Sequence, residues 1–179
     1  MAKFSAFVLF LVLAVFAAGL FGAVHDQISD TVSPEYFTHF KFPLFHLLDA
    51  QIPERIRAAE VGFLASWWMG IPLGLLTGVA GFIHNNPKQM KLALLKSLPV
   101  ILGFTLAFSL AGLVYGYFKT QTIVLSAYDG WYIPSGITNL RRFLCAGYMH
   151  NSAYIGGVVA IPVAWVYHVL IKRSAKNAA

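Results

Sequence analysis

Four long apolar stretches, separated by short polar segments, dominate the chain. They run over about residues 4–24, 61–83, 98–118 and 143–171. A helix needs about 20 apolar residues, each rising about 1.5 Å, to cross the hydrocarbon core of a bilayer. Because backbone groups in lipid must find hydrogen-bond partners within their own segment, each stretch is predicted to be a transmembrane helix.

Composition agrees with this pattern. Apolar residues make up 58% and charged residues 11% of the 179 residues, which is outside the range of soluble globular domains. We therefore predict an all-α integral membrane protein, with residues 1–179 as a single membrane domain and four transmembrane helices in one bundle. The outer segments 25–60 and 119–142 and the cytoplasmic loop 84–97 are too short for a separate soluble domain.

The distribution of charge predicts the orientation. One set of cations lies before the first span, between the second and third, and after the fourth: Lys3, Lys88, Lys91, Lys96, Lys172, Arg173 and Lys176. The opposite segments carry the other cations and all seven acids. The positive-inside rule then places both termini in the cytoplasm, in a bilayer that we take to be a bacterial inner membrane.

The beginning and the net charge of the chain each allow another interpretation. The first apolar run resembles a signal peptide, but at about 20 residues it exceeds the usual h-region of about 7–15, so we expect a retained anchor helix. The net charge of +6 suggests nucleic acid, but no basic run is interleaved with aromatic residues. The predicted partner is the lipid bilayer and not a nucleic acid.

A short amphipathic helix is predicted on the outer side. Ser33, Pro34 and Glu35 supply an N-cap, a first-turn proline and an acid near the positive helix end. The residues that follow, to Leu48, are rich in aromatic side chains. Such a segment is expected to lie in the membrane interface over the mouth of the bundle.

Small residues recur every four positions in three of the spans. These stripes are Gly62, Ser66, Gly70, Gly74 and Gly78; Gly103, Ala107 and Ala111; and Gly156, Ala160 and Ala164. Stripes of this kind let helix backbones approach closely in lipid, so we expect them to be seams within the bundle. The alternative is a contact with a membrane protein partner, or a homo-oligomer, through Gly70, Gly74 and Gly78.

The candidate chemistry lies at one depth of the membrane. Counting helical residues from the charged boundaries places His25, Glu60 and His150 within roughly one turn of the outer boundary. Asp26 follows His25, and the pair Glu35 and His39, four residues apart, share one face of the short outer helix. A bundle could bring these six residues together: His25, Asp26, Glu35, His39, Glu60 and His150.

Imidazole and carboxylate groups form ligand shells for iron, copper, manganese or zinc. We therefore predict a small membrane metalloprotein with a site facing the periplasm, built from His25, Glu60 and His150 with Asp26 or Glu35 as a further ligand. With an open coordination position it could be an oxidoreductase. The Glu-x-x-His motif of di-iron bundles is absent from the sequence, so the prediction rests on depth and residue type.

Two alternatives stay open. In the first, the protein is a non-catalytic structural or accessory subunit, in which Arg57 pairs with Glu60 and Arg141 or Arg142 pairs with Asp26 or Glu35. In the second, His84 and His168 near the cytoplasmic side and His25 and His150 near the outer side hold b-type haems for electron transfer. Cys145 is the only cysteine, which excludes an intrachain disulfide and covalent haem attachment through Cys-x-x-Cys-His.

Overall fold

The computed structural model describes residues 1–177, and these residues form helices and no strand. In that part of the chain, four helices are long and apolar enough to cross a membrane. They are α1 (Ala2–Val32), α3 (Glu54–Ile83), α4 (Pro87–Lys119) and α5 (Leu140–Asn177), and a short α2 spans residues 34–44. The predicted all-α architecture is confirmed, and so is the prediction of four helices long and apolar enough to span a membrane.

The helices extend beyond the predicted spans. No proline or glycine lies between Val24 and Val32, and α1 continues through His25 and Asp26 to Val32. The predicted loop 84–97 is mostly helix, because Asn86 caps α4: its side-chain oxygen accepts from the backbone N–H of Gln89 at 2.9 Å. The connection from α3 to α4 is therefore a turn over residues 84–86, and the ionisable residues at both ends lie on or beside helices.

A short helix is present at the predicted position, and it contains a π-helical turn. The Ser33 side chain caps it by accepting from the N–H of Tyr36 at 3.3 Å. The backbone then passes through a π-helix over Phe37–Lys41 before ending at Leu44. Aromatic residues of α2 pack in one buried cluster with α3 and α5, which contains Tyr36, Phe37, Phe42, Ala58, Val61, Phe143 and Ala146. Helix α2 is thus wedged against the bundle at the end where α1 stops and α5 starts, which we call the cluster end.

The glycine stripe of α3 is a seam with α1. A Cβ atom on Gly62 would collide with the carbonyl oxygen of Gly22, and one on Gly70 would lie 2.5 Å from the Cα atom of Val15. Gly74 and Gly78 likewise face side chains of α1. The chain's own first helix occupies this stripe, which corrects the alternative of a partner or homo-oligomer contact through Gly70, Gly74 and Gly78.

The seam of α4 lies on a different face from the one that we predicted. A Cβ on Gly103 would meet nothing within 4 Å, whereas one on Gly112 or Gly116 would strike Ser152 or Tyr148 of α5. Residues Gly103, Ala107 and Ala111 are exposed and face outward. On α5, the predicted stripe of Gly156, Ala160 and Ala164 is buried as expected. Both stripes of α4 have the spacing of a seam, so spacing alone did not identify the packed face.

A cavity lies between the pair α1 and α3 and the pair α4 and α5. Its volume is about 100 Å³, and all four long helices line it, mostly with small and apolar residues such as Ala14, Gly70, Leu102 and Gly157. His25, Asp26 and His150 close it at the cluster end. The bundle therefore places an apolar space directly below its most polar buried group.

Candidate metal centre

Three ionisable side chains converge at the cluster end. His25 and Asp26 lie on α1, His150 lies on α5, and each offers a ligand atom within 4.8 Å of the other two. The Nδ1 atom of His25 lies 2.9 Å from Asp26 Oδ1, and the Nε2 atom of His150 lies 3.7 Å from the same oxygen. The imidazole ring centroids are 4.7 Å apart and nearly perpendicular. The predicted convergence of His25, Asp26 and His150 is therefore present in the structure.

Two serines contact the imidazoles, Ser109 at the His25 nitrogen that faces away from Asp26 and Ser29 at the His150 nitrogen that faces Asp26. His25 Nε2 lies 2.8 Å from Ser109 Oγ on α4, and His150 Nε2 lies 3.1 Å from Ser29 Oγ on α1. The Ser109 hydroxyl also lies 3.2 Å from the Met149 carbonyl, which can only accept. In one tautomer of His25 the Ser109 hydroxyl donates to Nε2 and Nδ1–H donates to Asp26. In the other tautomer the Ser109 proton goes to the Met149 carbonyl. Ser109 then accepts from His25 Nε2–H.

The second tautomer leaves a lone pair on His25 Nδ1, facing the Asp26 carboxylate at 2.9 Å. Two acceptors at that distance repel each other unless a proton or a cation lies between them. Metal-ligating histidines have the same arrangement, in which the distal N–H donates to a fixed acceptor and the other nitrogen binds the ion. In this tautomer the hydrogen-bond pattern at His25 therefore suits a ligand imidazole.

One oxygen of the Asp26 carboxylate has no hydrogen-bond partner in the described residues. This atom, Oδ2, is buried. Leaving a carboxylate oxygen buried and unpartnered costs free energy that a metal ion or a bound proton would recover. Asp26 as a whole is only 2% exposed, so bulk water does not satisfy this atom.

Arg57 and Arg141 do not pair with the Asp26 carboxylate either. Arg57 donates to the Leu47 carbonyl at 3.3 Å and lies over the Phe42 ring, while Arg141 lies over the Tyr117 ring. In the described part of the chain the arginine that pairs with an acid is Arg55, with Asp30 at 3.2 Å. The expected salt bridges from Arg57 to Glu60 and from Arg141 or Arg142 to Asp26 or Glu35 are not formed.

Helix α2 covers the cluster. The Tyr36 ring stacks on the His150 ring at 5.0 Å between centroids and 20° between planes, and Phe37 packs on the same imidazole and is fully buried. His25 and His150 are 3% and 7% exposed. The cluster is therefore a closed site beneath an aromatic cover.

A cation also lies near the cluster. The π-helical turn directs Lys41 inward, where it is 7% exposed and its Nζ atom lies 5.7 Å from the Tyr36 ring centroid. Burial lowers the pKa of Lys41, and the nearby Asp26 carboxylate opposes that shift. Lys41 therefore adds positive potential beside the site, and π-helical turns of this kind occur often at functional sites.

Glu60 lies apart from the three converging residues. It is exposed on α3, and it is absent from the ligand group of His25, Asp26 and His150 that the structure forms within residues 1–177. The reason is its helical phase: Gly62 faces α1, and a residue two positions away points about 200° around the helix. The direction in which Glu60 points was therefore predicted wrongly.

Glu35 and His39 are also outside the cluster. The Glu35 carboxylate accepts from the backbone N–H groups of Thr138 and Asn139, each at 2.9 Å, and from the Thr138 hydroxyl at 2.6 Å. These bonds lower the pKa of Glu35. His39 is exposed and lies beside Gly136. Glu35 thus fixes α2 to the segment before α5, and His39 lies beside that segment.

The sequence analysis did not identify Ser29, Ser109, Tyr36 or Lys41. Ser29 carries a usable signal, because it follows His25 by four residues and so shares its helix face. Ser109 is a small polar residue on the face of α4 that also carries the seam residue Gly112. Lys41 has no such signal, since a π-turn that changes the helical phase cannot be read from spacing.

The histidine pairs are arranged differently from bis-histidine haem ligands. His84 Nε2 and His168 Nδ1 share a hydrogen bond of 3.0 Å, and the rings of His25 and His150 contact each other. Two imidazoles that bind one iron need ligand nitrogens about 4 Å apart with a macrocycle between them, given metal–nitrogen bonds of about 2 Å. This geometry favours a bare ion over a haem at the cluster end.

Comparisons with protein-family models, curated proteins and solved structures find no match to this chain.

Proposed function

We propose that this chain is a small integral membrane metalloprotein that binds a transition metal ion through His25, Asp26 and His150. The observation that carries the proposal is the convergence of these three buried ligand groups within 4.8 Å. A metal with bonds of about 2 Å needs ligand atoms roughly 3 to 3.5 Å apart, so a small side-chain rotation would close the site. The unpartnered Asp26 Oδ2 supports a cation there, and so does His25 in the tautomer whose Nδ1 carries a lone pair.

The ligand set narrows the choice of metal. Two imidazoles and one carboxylate suit iron, zinc, manganese and copper, and the combination is typical of non-haem iron and of catalytic zinc sites. When bound, such an ion can act as a Lewis acid, and iron, copper or manganese can also exchange electrons. Ser109 would orient the His25 imidazole from its distal nitrogen, and Tyr36 and Phe37 would exclude water. Ser29 bonds to His150 Nε2, so a metal bound through that nitrogen would replace this hydrogen bond. A redox-active ion with an open coordination position would supply the chemistry of an oxidoreductase.

We further propose that the cluster end faces the periplasm of a bacterial inner membrane, with both termini in the cytoplasm. The support is the charge distribution: the cations at the other end of the bundle are accompanied by no acid in the sequence. In this orientation α2 lies in the outer interface, and its exposed Leu44 would contact the bilayer.

A second function has its own support. The bonds from His25 to Ser109 and from His150 to Ser29 join α1, α4 and α5, so the cluster could serve only to hold the helices of an accessory subunit together. Hydrogen bonds between membrane helices average about 0.6 kcal/mol each, which is a modest but real contribution. In that case the protein needs no metal.

Metal content of the purified full-length protein tests the proposal. Near-stoichiometric metal by elemental analysis, lost in Asp26→Asn and in His150→Gln, is the expected result. The matched controls are Glu60→Gln and His39→Gln, which change the same residue types outside the cluster and should keep the metal. The absorption spectrum of the same sample tests the haem alternative through a Soret band.

The accessory function predicts a different outcome. It requires that no metal is bound after supplementation with iron, zinc, manganese or copper, while His150→Gln still lowers the melting temperature. Metal that persists in both Asp26→Asn and His150→Gln would place the ion elsewhere and overturn the proposed site.

A further inference from the structure

A groove lies at the opposite end of the bundle, between the first turns of α4 and the last turns of α5. Its volume is about 770 Å³. Four cations line it, and all four are exposed: Lys96, Lys172, Arg173 and Lys176. We call this end of the bundle the basic end, and the space between α4 and α5 the basic groove.

No acid of the sequence lies near these cations along the chain. The seven acidic residues are Asp26, Asp30, Glu35, Asp49, Glu54, Glu60 and Asp129, all in segments that meet at the cluster end. A further cation is fixed at the basic end, because Lys3 donates to the His84 carbonyl at 2.6 Å. The basic groove therefore has a positive potential that the protein itself does not neutralise.

Apolar side chains lie among the cations that line the groove. Leu92 on α4 and Val169 on α5 line the groove and are 54% and 38% exposed. Ile83, Ala93 and Ile171 add further apolar lining. A ligand that fits the whole groove therefore has an anionic group beside the cations and an apolar chain along the helices.

We propose that the basic groove binds the phosphate headgroup of an anionic phospholipid, with an acyl chain lying along α4 and α5. A free phosphate would use only the cations, whereas a phospholipid also covers apolar side chains such as Leu92 and Val169. Basic pockets between transmembrane helices are suited to such headgroups. This site is independent of the metal centre, which lies at the other end of the bundle.

His84 provides an internal probe of the bound anion. It lines the groove, and burial lowers its pKa, with smaller contributions in the same direction from Lys172 and Lys3. His168 faces it at 3.0 Å from the other side. An anionic headgroup near Lys172 offsets the positive potential, so the lipid is expected to raise the pKa of His84 towards its ordinary value.

Native mass spectrometry of the full chain in detergent, with added phosphatidylglycerol or phosphatidylcholine, tests the proposal. We expect a retained phosphatidylglycerol, with phosphatidylcholine bound far more weakly. Lys96→Gln/Lys172→Gln should weaken phosphatidylglycerol binding roughly 30-fold, from about fivefold per removed cation. The matched control is Lys88→Gln/Lys91→Gln, which removes two exposed cations of the same end that do not line the groove.

The alternatives give distinct results. If the control double variant loses binding as much as the groove variant, general attraction of charge explains the effect and the site is overturned. If inorganic phosphate competes at the same concentration as the lipid, the ligand is a free anion. Arg173→Gln/Lys176→Gln is a second groove variant, and its failure to weaken binding would also contradict the site. An unchanged melting temperature in phosphatidylcholine confirms that each variant is folded.

Discussion

The Ser109 Oγ atom on α4 lies 2.8 Å from the His25 Nε2 atom on α1, in a buried position between the two helix pairs. The same hydroxyl lies 3.2 Å from the Met149 carbonyl on α5. One small side chain thus connects three helices and fixes the orientation of a candidate ligand. Its role can be separated from that of the ligands, because Ser109 is not itself among the three ligand groups.

Ser109→Ala is expected to lower metal affinity by about 10- to 100-fold, as loss of an orienting partner does in other metal sites. The variant should also lose about 1 to 3 kcal/mol of stability, because His25 Nε2 is left buried and unpartnered. Titration with the metal and thermal unfolding measure the two effects. Thr105→Ala is the matched control, since the Thr105 hydroxyl bonds only to Ile101 of its own helix, at 2.9 Å. Equal losses in both variants would contradict an orienting role for Ser109.

The contact between α1 and α3 predicts a contrast between two glycines. Gly62→Ala should destabilise the bundle by several kcal/mol, because the added Cβ collides with the backbone carbonyl of Gly22 and the helices must separate. Gly103→Ala should be neutral or stabilise the protein by up to about 1 kcal/mol, since nothing lies within 4 Å and alanine is the better helix former. Melting temperatures in one detergent give the comparison. A destabilising Gly103→Ala would mean that an additional partner covers that face.

The four long apolar helices and the shared height of His25 and His150 could be predicted from the sequence, and the direction of side chains around each helix could not. Hydropathy and a fixed rise per residue determine where a helix crosses, so His25 and His150 were matched in height. The rotation of a helix about its own axis depends on which of its faces packs against neighbouring helices. On α3 the glycine seam packs on α1 and leaves Glu60 facing outward. On α4 two stripes of small residues have the spacing of a packed face, and the sequence does not show which one packs.

The aromatic cover over the site also could not be predicted from the sequence pattern. An N-cap at Ser33 predicted the start of α2, since capping is a local property. That α2 presses Tyr36 onto His150 depends on contacts with α3 and α5 far along the chain. The inward turn of Lys41 depends on a π-helix that no local signal marks. Local features were therefore predictable, and the closed site was not.

Glu35 makes the attachment of α2 sensitive to acid. Hydrogen bonds from Thr138 and Asn139 hold the pKa of Glu35 below its ordinary value of 4.5. A carboxylate with a lowered pKa stabilises the fold above its unfolded value, and this contribution is lost as the pH falls from about 4.5 through the lowered value. Wild type should therefore melt higher than Glu35→Gln at pH 7, and the difference should shrink below pH 4.5. A difference that is constant from pH 7 to pH 3 would show that the carboxylate charge is not involved.

Lys41 is expected to oppose the metal. Its buried ammonium group lies near enough to Asp26 for the carboxylate to affect its pKa, so it adds positive charge where the ion binds. Lys41→Met keeps the length of the apolar stem and removes that charge. At an effective dielectric of about 20, removing one nearby charge should raise metal affinity by roughly tenfold. The measurement is competition with a chelator of known affinity.

Lys119→Met removes an exposed cation at the end of α4 and should leave affinity unchanged. If Lys41→Met instead weakens metal binding while the protein stays folded, Lys41 supports the site through its contacts with Tyr36 and Phe40, and its charge is not the dominant effect.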